Sequence, residues 1–162
     1  MGSARQDKAL DLEGLSALSG GAREAGLTVA LCHGCFDLFH VGHVYHLSQA
    51  ARLADVLVVS VSSDGACRKG PGRPAYAAAD RAVLVAALEV VDHVHEARGR
   101  GPADVIRALR PDVYVKGPDY AESPCVRVRA EAALVERLGG RIAFTDDAVT
   151  ASSTDILRRV HV

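Results

Sequence analysis

TVALCHGCFDLFHVGHVYHLSQAARLADVLVVSVSS, residues 28 to 63, decides the fold. TVALCH (28–33) is a short apolar run with β-branched members and predicts a strand. HVYHLSQAARLA (43–54) sets Val44, Leu47, Ala51 and Ala54 at helical spacing. VLVVSVSS (56–63) predicts a second strand, apolar on both faces. Such strands belong in parallel sheets covered on both sides.

The same alternation continues outward. ADRAVLVAALEVV (79–91) opens as a helix, and VDHVHEA (91–97) is an alternating strand. PADVIRALR (102–110) is a helix with Pro102 suited to its first turn. DVYVKG (112–117) is a strand, CVRVRAEAALVERLGG (125–140) a helix closed by a glycine pair, and RIAFTDD (141–147) a strand. SSTDILRRV (152–160) begins with cap residues and continues as a short helix. Upstream, Leu12, Leu15, Leu18 and Ala22 predict a weak helix that Gly20-Gly21 interrupts. The order implies an α/β fold, a doubly wound five-stranded parallel sheet with right-handed crossovers. Residues 1–162 read as one domain, with 1–26 a helical extension and 27–160 the core. No internal repeat, linker or low-complexity segment stands out. Ligands of such sheets sit beyond the carboxyl ends of the strands. The informative loops are therefore 32–43, 63–80, 116–124 and 146–154.

Composition narrows the function. A net charge of −1 argues against non-specific binding to nucleic acid or an anionic membrane. No apolar run approaches the ~20 residues of a membrane span. The first residues lack the apolar core of a secretory signal. A cytoplasmic protein with four reduced cysteines is expected. Only three lysines occur among 19 basic residues, so their positions are informative.

Residues 31–46 hold four of the seven histidines and two of the four cysteines. Cys32 and Cys35 form a CxxC, but a redox pair needs its first cysteine at a helix start, and Cys32 belongs to the strand. A structural zinc site needs a second ligand pair, and Cys67 and Cys125 stand alone. Small apolar filler is the simpler reading of both cysteines. His40-Val41-Gly42-His43 falls between strand and helix, where helix N–H groups and the helix dipole favour an anion. Gly42 lets a ligand approach the backbone, and two imidazoles can donate to phosphate oxygens. Lys69 and Lys116 both lie in strand-end loops, each followed by Gly-Pro, and lysine is a compact point charge suited to phosphate. Arg73 and Arg81 are candidates for bidentate phosphate contacts. Asp37 either orients a histidine or holds its loop through backbone N–H groups. Ser152, Ser153 and Thr154 either cap the last helix or bind phosphate there.

GCFDLFHVGH (34–43) resembles the G-x-F-D-x-x-H-x-G-H signature of the cytidylyltransferase-like nucleotidylyltransferases. KGPGRP (69–74), the stretch from Asp80-Arg81 to Asp92, VKGPDY (115–120) and SSTDILRR (152–159) are similar to further segments of these enzymes, in the same order. The nearest group is that of the heptose 1-phosphate adenylyltransferases and glycerol-3-phosphate cytidylyltransferases. The resemblance implies a Rossmann-like fold and transfer of a nucleoside monophosphate from ATP or CTP to a small phosphorylated acceptor, such as a heptose 1-phosphate, with release of pyrophosphate. It implies catalysis by His40, His43 and Lys69. Nucleotide binding would fall to Gly34, Cys35, Phe36, Asp37, Gly42, Arg81, Lys116, Gly117, Asp119, Ser152, Ser153 and Thr154. Acceptor binding would fall to Lys69, Arg73 and Tyr120. Mg2+ is implied with the triphosphate, held mainly by phosphates because no acidic cluster marks a protein cage. A homodimer is implied, with no nucleic-acid or membrane partner. The alternative is a nucleotide-binding module without turnover. His33, Ala151 and the stretch AESPCVRVRA (121–130) depart from the family pattern, and the last of these leaves the acceptor open.

Overall fold

A computed structural model describes residues 8–67, 70–121, 125–146, 148 and 149. The elements run α1 (Leu12–Glu24), β1 (Val29–Gly34), α2 (Val41–Ala50), β2 (Val56–Val61), α3 (Ala78–Ala86), β3 (His93–Glu96), α4 (Ala103–Leu109), β4 (Val113–Lys116), α5 (Val126–Arg137) and β5 (Arg141–Phe144). The five strands form one parallel sheet in the order β3-β2-β1-β4-β5. The expected α/β architecture is therefore present. The helix expected over 152–160 lies outside the described residues.

Side-chain alternation along the strands separates two cores. Ala30, Cys32, Leu57, Val59 and Val61 pack with Leu47 of α2 and Val85 of α3 on one face. Leu31, Val58 and Tyr114 pack with Leu15 of α1, Ile106 of α4 and Val135 of α5 on the other. The strands read as continuous apolar runs because both faces are covered. Aspartates set the strand starts. Asp55, Asp92 and Asp112 each precede a strand and accept from the backbone N–H of Thr28, Leu57 and Val29, respectively, at 2.7–2.8 Å.

Gly20-Gly21 does not interrupt α1, which runs unbroken from Leu12 to Glu24. Each glycine costs about 1 kcal/mol in a helix interior. Burial of Leu15, Ser19 and Ala22 offsets that cost. Asp11 caps the helix, its carboxylate accepting from the Gly14 N–H at 2.8 Å. Just upstream, Val94 N–H donates to Lys8 O at 2.8 Å and Leu10 N–H to Val94 O at 2.9 Å. This segment covers the open edge of β3, which would otherwise present unpaired backbone groups. Among the described residues no helix is long and apolar enough to cross a membrane.

Candidate active site

Strand order reverses direction at β1, between β2 and β4. In such sheets the usual ligand position is the crevice beyond the carboxyl edge at this switch point, where the loops leaving β1 and β4 begin. The 34–43 stretch occupies that crevice. Phe36 and Leu38 adopt φ values of 51° and 46°, a left-handed conformation that side chains resist. Packing imposes it: Phe36 is buried, and its ring lies 3.2 Å from where a Cβ on Gly34 would be. Gly34 is thus needed for the close approach of that ring.

The loop delivers His40 to the N-cap of α2 and His43 to its first turn. Their rings stack with centroids 3.8 Å apart and planes 22° apart. Phe39 stacks on His43 at 5.3 Å and Phe36 meets it edge-on at 5.5 Å. The His40 N–H donates to His43 Nδ1 at 3.4 Å. That geometry makes Nδ1 the acceptor and puts the proton of the neutral ring on Nε2. Gly42 lies between the two histidines in the same helical turn. Two imidazoles at the positive end of a helix are suited to an anion.

Asp37 resolves toward its second reading. It is fully buried, accepts from the Ala75 N–H at 2.8 Å and forms an ion pair with Arg73 Nε. It therefore ties the loop after β1 to the loop after β2. Burial alone would raise its carboxyl pKa, but hydrogen bonds from Arg73 and Ala75 hold it below the usual carboxylate value.

Arg73 and Arg81, both expected to contact phosphate, are largely buried in the same network. The Arg73 side chain is 9% exposed and engaged with Asp37. Arg81 is fully buried; it donates to Tyr76 O at 2.9 Å, Ser62 O at 2.9 Å, Asp64 Oδ1 at 2.6 Å and Cys35 O. Both arginines build the walls of the site rather than line its surface. An arginine in a sequence carries no mark of which carbonyls will surround it.

Lys116, expected to bind the nucleotide, is also largely buried. It is 5% exposed, with Nζ 3.3 Å from Tyr114 Oη, 3.5 Å from Glu131 Oε2 and 3.5 Å from the His33 carbonyl. Burial lowers its pKa and the Glu131 carboxylate opposes that shift. Glu131 Oε2 also accepts from Tyr114 Oη at 2.8 Å. Strand parity puts Lys116 and Tyr114 together on the α5 face, away from the histidine pair on the α2 face. Gly117 precedes a short 3-10 turn, Pro118–Tyr120, in which Asp119 is exposed. The Tyr120 ring lies 5.1 Å from Lys116 Nζ. Lys69, Ser152, Ser153 and Thr154 lie outside the described residues.

The thiol expectation also changes. Cys35 and Cys67 form a disulfide with Cα atoms 5.8 Å apart. Parallel, in-register pairing of β1 and β2 brings their exit loops side by side, which sequence separation conceals. Cys32 is the apolar filler expected: it is fully buried, and desolvation pushes its thiol up to about 12.

Several site neighbours carry no motif. His33 sits between Ser60 Oγ and Ser62 Oγ, 3.1 Å from each. Burial, aided by the charge of Lys116, lowers its pKa to about 3. On α2, Tyr45 Oη donates to Asp146 Oδ1 at 2.9 Å, and His46 Nδ1 lies 2.8 Å from Thr145 Oγ1. These contacts tie α2 to the exit of β5. Period-three spacing from His40 to His43 to His46 was their only signal.

Fold and site together define a parallel α/β protein with a stacked histidine pair at a helix N-terminus beside the strand-order switch. A family model described as cytidylyltransferase-like matches residues 31–159. The chain belongs to the cytidylyltransferase-like family, a family of nucleotidyltransferase enzymes. It is 42% identical over 140 residues to the bifunctional protein HldE of Syntrophotalea carbinolica, covering 85% of this chain and 28% of that protein. It is 38% identical over 160 residues to the bifunctional protein HldE of Methylobacillus flagellatus, covering 98% of this chain and 32% of that protein. The chain thus spans about a third of the length of these curated relatives. A crystal structure of the lipopolysaccharide core biosynthesis protein from Thermoplasma volcanium matches with a TM-score of 0.60 and 26% identity, covering 74% of this chain and 94% of that one.

Proposed function

We propose that this chain transfers a nucleoside monophosphate from ATP or CTP to a phosphorylated small acceptor, a sugar phosphate such as a heptose 1-phosphate, and releases pyrophosphate. The observation that carries the reading is the stacked His40–His43 pair at the N-terminus of α2, in the crevice at the strand-order switch. The relatives support it. This chain matches about a third of the length of proteins named bifunctional, which fits a match to the part that carries one of their two activities. The match to a lipopolysaccharide core biosynthesis protein fits a sugar acceptor.

The chemistry suits the residues. An acceptor phosphate oxygen is largely ionised at neutral pH because its second pKa is about 6, so no strong base is needed. That oxygen attacks the α-phosphorus, the bond to the bridging oxygen breaks, and pyrophosphate leaves. The barrier is the approach of two polyanions and the charge that develops on the leaving group. Alignment and charge neutralisation lower it. His43, with its proton on Nε2, and His40 donate to the triphosphate, and Lys69 spans triphosphate and acceptor phosphate. Among the described residues no three His, Cys, Asp or Glu side chains come together, and Asp37 is committed to Arg73 and Ala75. These residues do not fit a protein-held Mg2+ cage. Magnesium would arrive on the triphosphate, and no step is assigned through it.

The test is pyrophosphate release with ATP and with CTP across a panel of sugar 1-phosphates. Release with one pair supports the transferase. Nucleotide binding without release from any pair replaces it with a nucleotide-binding module.

A further inference from the structure

A cleft of about 220 Å³ opens between Gly65, Ala66, Arg100 and Arg127. Among the described residues, its walls come from three segments that follow β2, β3 and β4. Gly65 and Ala66 lie in the short 3-10 turn after β2, Arg100 lies between β3 and α4, and Arg127 lies in the first turn of α5, after β4. None of these residues belongs to the signature segments of the sequence. At about 30 Å³ per water, the cleft holds the equivalent of about seven waters. That is room for a phosphate and a few carbons.

The charge of the cleft is unbalanced. Among the described residues Arg100 makes no ion pair. Arg127 is 59% exposed, and its nearest carboxylate oxygen, Glu131 Oε1, is 3.7 Å from Nε. The other Glu131 oxygen is shared between Tyr114 and Lys116. Asp64, beside the cleft, is paired with Arg81. Among the described residues, two guanidinium groups therefore line a small space whose lining includes no acid. Guanidinium matches the geometry of phosphate and carboxylate oxygens bidentately. Gly65 leaves room for a larger side chain, since a Cβ added there meets nothing within 4 Å.

We propose that this cleft is the acceptor subsite, in which Arg100 and Arg127 grip an oxyanion of the phosphorylated acceptor. The inference rests on the transferase reading above. Through Glu131 the cleft adjoins Lys116 on the α5 face, whereas the histidine pair that takes the triphosphate lies on the α2 face. The second substrate is thus the one left for the cleft.

Steady-state pyrophosphate release with heptose 1-phosphate tests it, with the better of ATP and CTP as donor. Arg100→Gln and Arg127→Gln each raise the KM for the acceptor about tenfold or more, while the nucleotide KM stays within about twofold. Gly65→Leu, which fills the cleft and leaves both charges in place, raises the acceptor KM as well. Melting temperatures confirm that all three variants fold. An unchanged acceptor KM in both arginine variants overturns the proposal, as does a rise confined to the nucleotide KM. If the wild-type chain releases no pyrophosphate with any pair, the transferase reading has failed. Calorimetric titration with inorganic phosphate then decides the cleft alone. Weaker binding by Arg127→Gln than by wild type supports an oxyanion site, and equal binding removes it.

Discussion

The carboxyl edge of the sheet carries two polar regions built on opposite principles. On the α2 side, His40 and His43 are half-buried and presented at a helix N-terminus. They are supported from behind by the Asp37–Arg73 pair and by Arg81. On the α5 side, His33, Ser60, Ser62, Tyr114, Lys116 and Glu131 satisfy one another in the interior. The first region presents its histidines at the positive end of a helix, half-exposed to solvent. The second spends its donors on its own acceptors. Composition does not separate the two, since both hold histidines and cations. Burial does, because an ionised group out of water must be paired where it stands.

This contrast can be broken by experiment. The largest effect is expected from His43→Ala, which lowers pyrophosphate release by about 10²-fold or more while far-UV circular dichroism and melting stay near wild type. Wild-type turnover by that variant would remove the α2 side as the catalytic region. Lys116→Met should act the other way round. It leaves Glu131 buried without its cation, and loss of one partner of such a pair costs about 3–5 kcal/mol. Urea denaturation measures the loss, with a smaller effect on turnover than His43→Ala. A Lys116→Met protein of unchanged stability but without turnover would show that the ammonium works in the open crevice.

Acid should expose the closed region. Unfolded histidines protonate near pH 6.5. In the fold, burial lowers His33 to about 3 and His46 to about 4. Between these values the unfolded chain binds more protons, so the contribution is full above about pH 6.5 and is lost as pH falls toward the folded values. The urea midpoint should drop between about pH 7 and pH 4.5, and His33→Asn should flatten that drop. Equal pH slopes in wild type and variant would show that His33 is not held neutral. The smallest effect sharpens the boundary between the two sides. Thiol titration of the urea-unfolded, unreduced chain should find two reactive cysteines, Cys32 and Cys125. Four would show Cys35 and Cys67 unjoined.

Much of the molecule was legible in the sequence because the evidence was local. Two-sided apolar runs announced β1 and β2, and helical spacing announced α2, since each pattern follows from the geometry of its own element. The histidine pair was legible for the same reason: His40 and His43 are three residues apart, so one helical turn puts them together whatever surrounds it. Gly20-Gly21 misled because helix propensity is a weak prior that packing of Leu15 and Ala22 overrides.

By itself, then, the sequence determined the α/β alternation and the loop that carries the histidine pair. Tertiary structure alone decided the fate of Arg73, Arg81 and Lys116, the joining of Cys35 to Cys67, and the meeting of Arg100 with Arg127 around one cleft. The physical reason is distance along the chain. A charge acts according to its solvent exposure and its partners, and here these partners come from other strands and helices, 15 to 46 residues away for the bonds of Lys116 and Arg81 to Glu131 and Cys35.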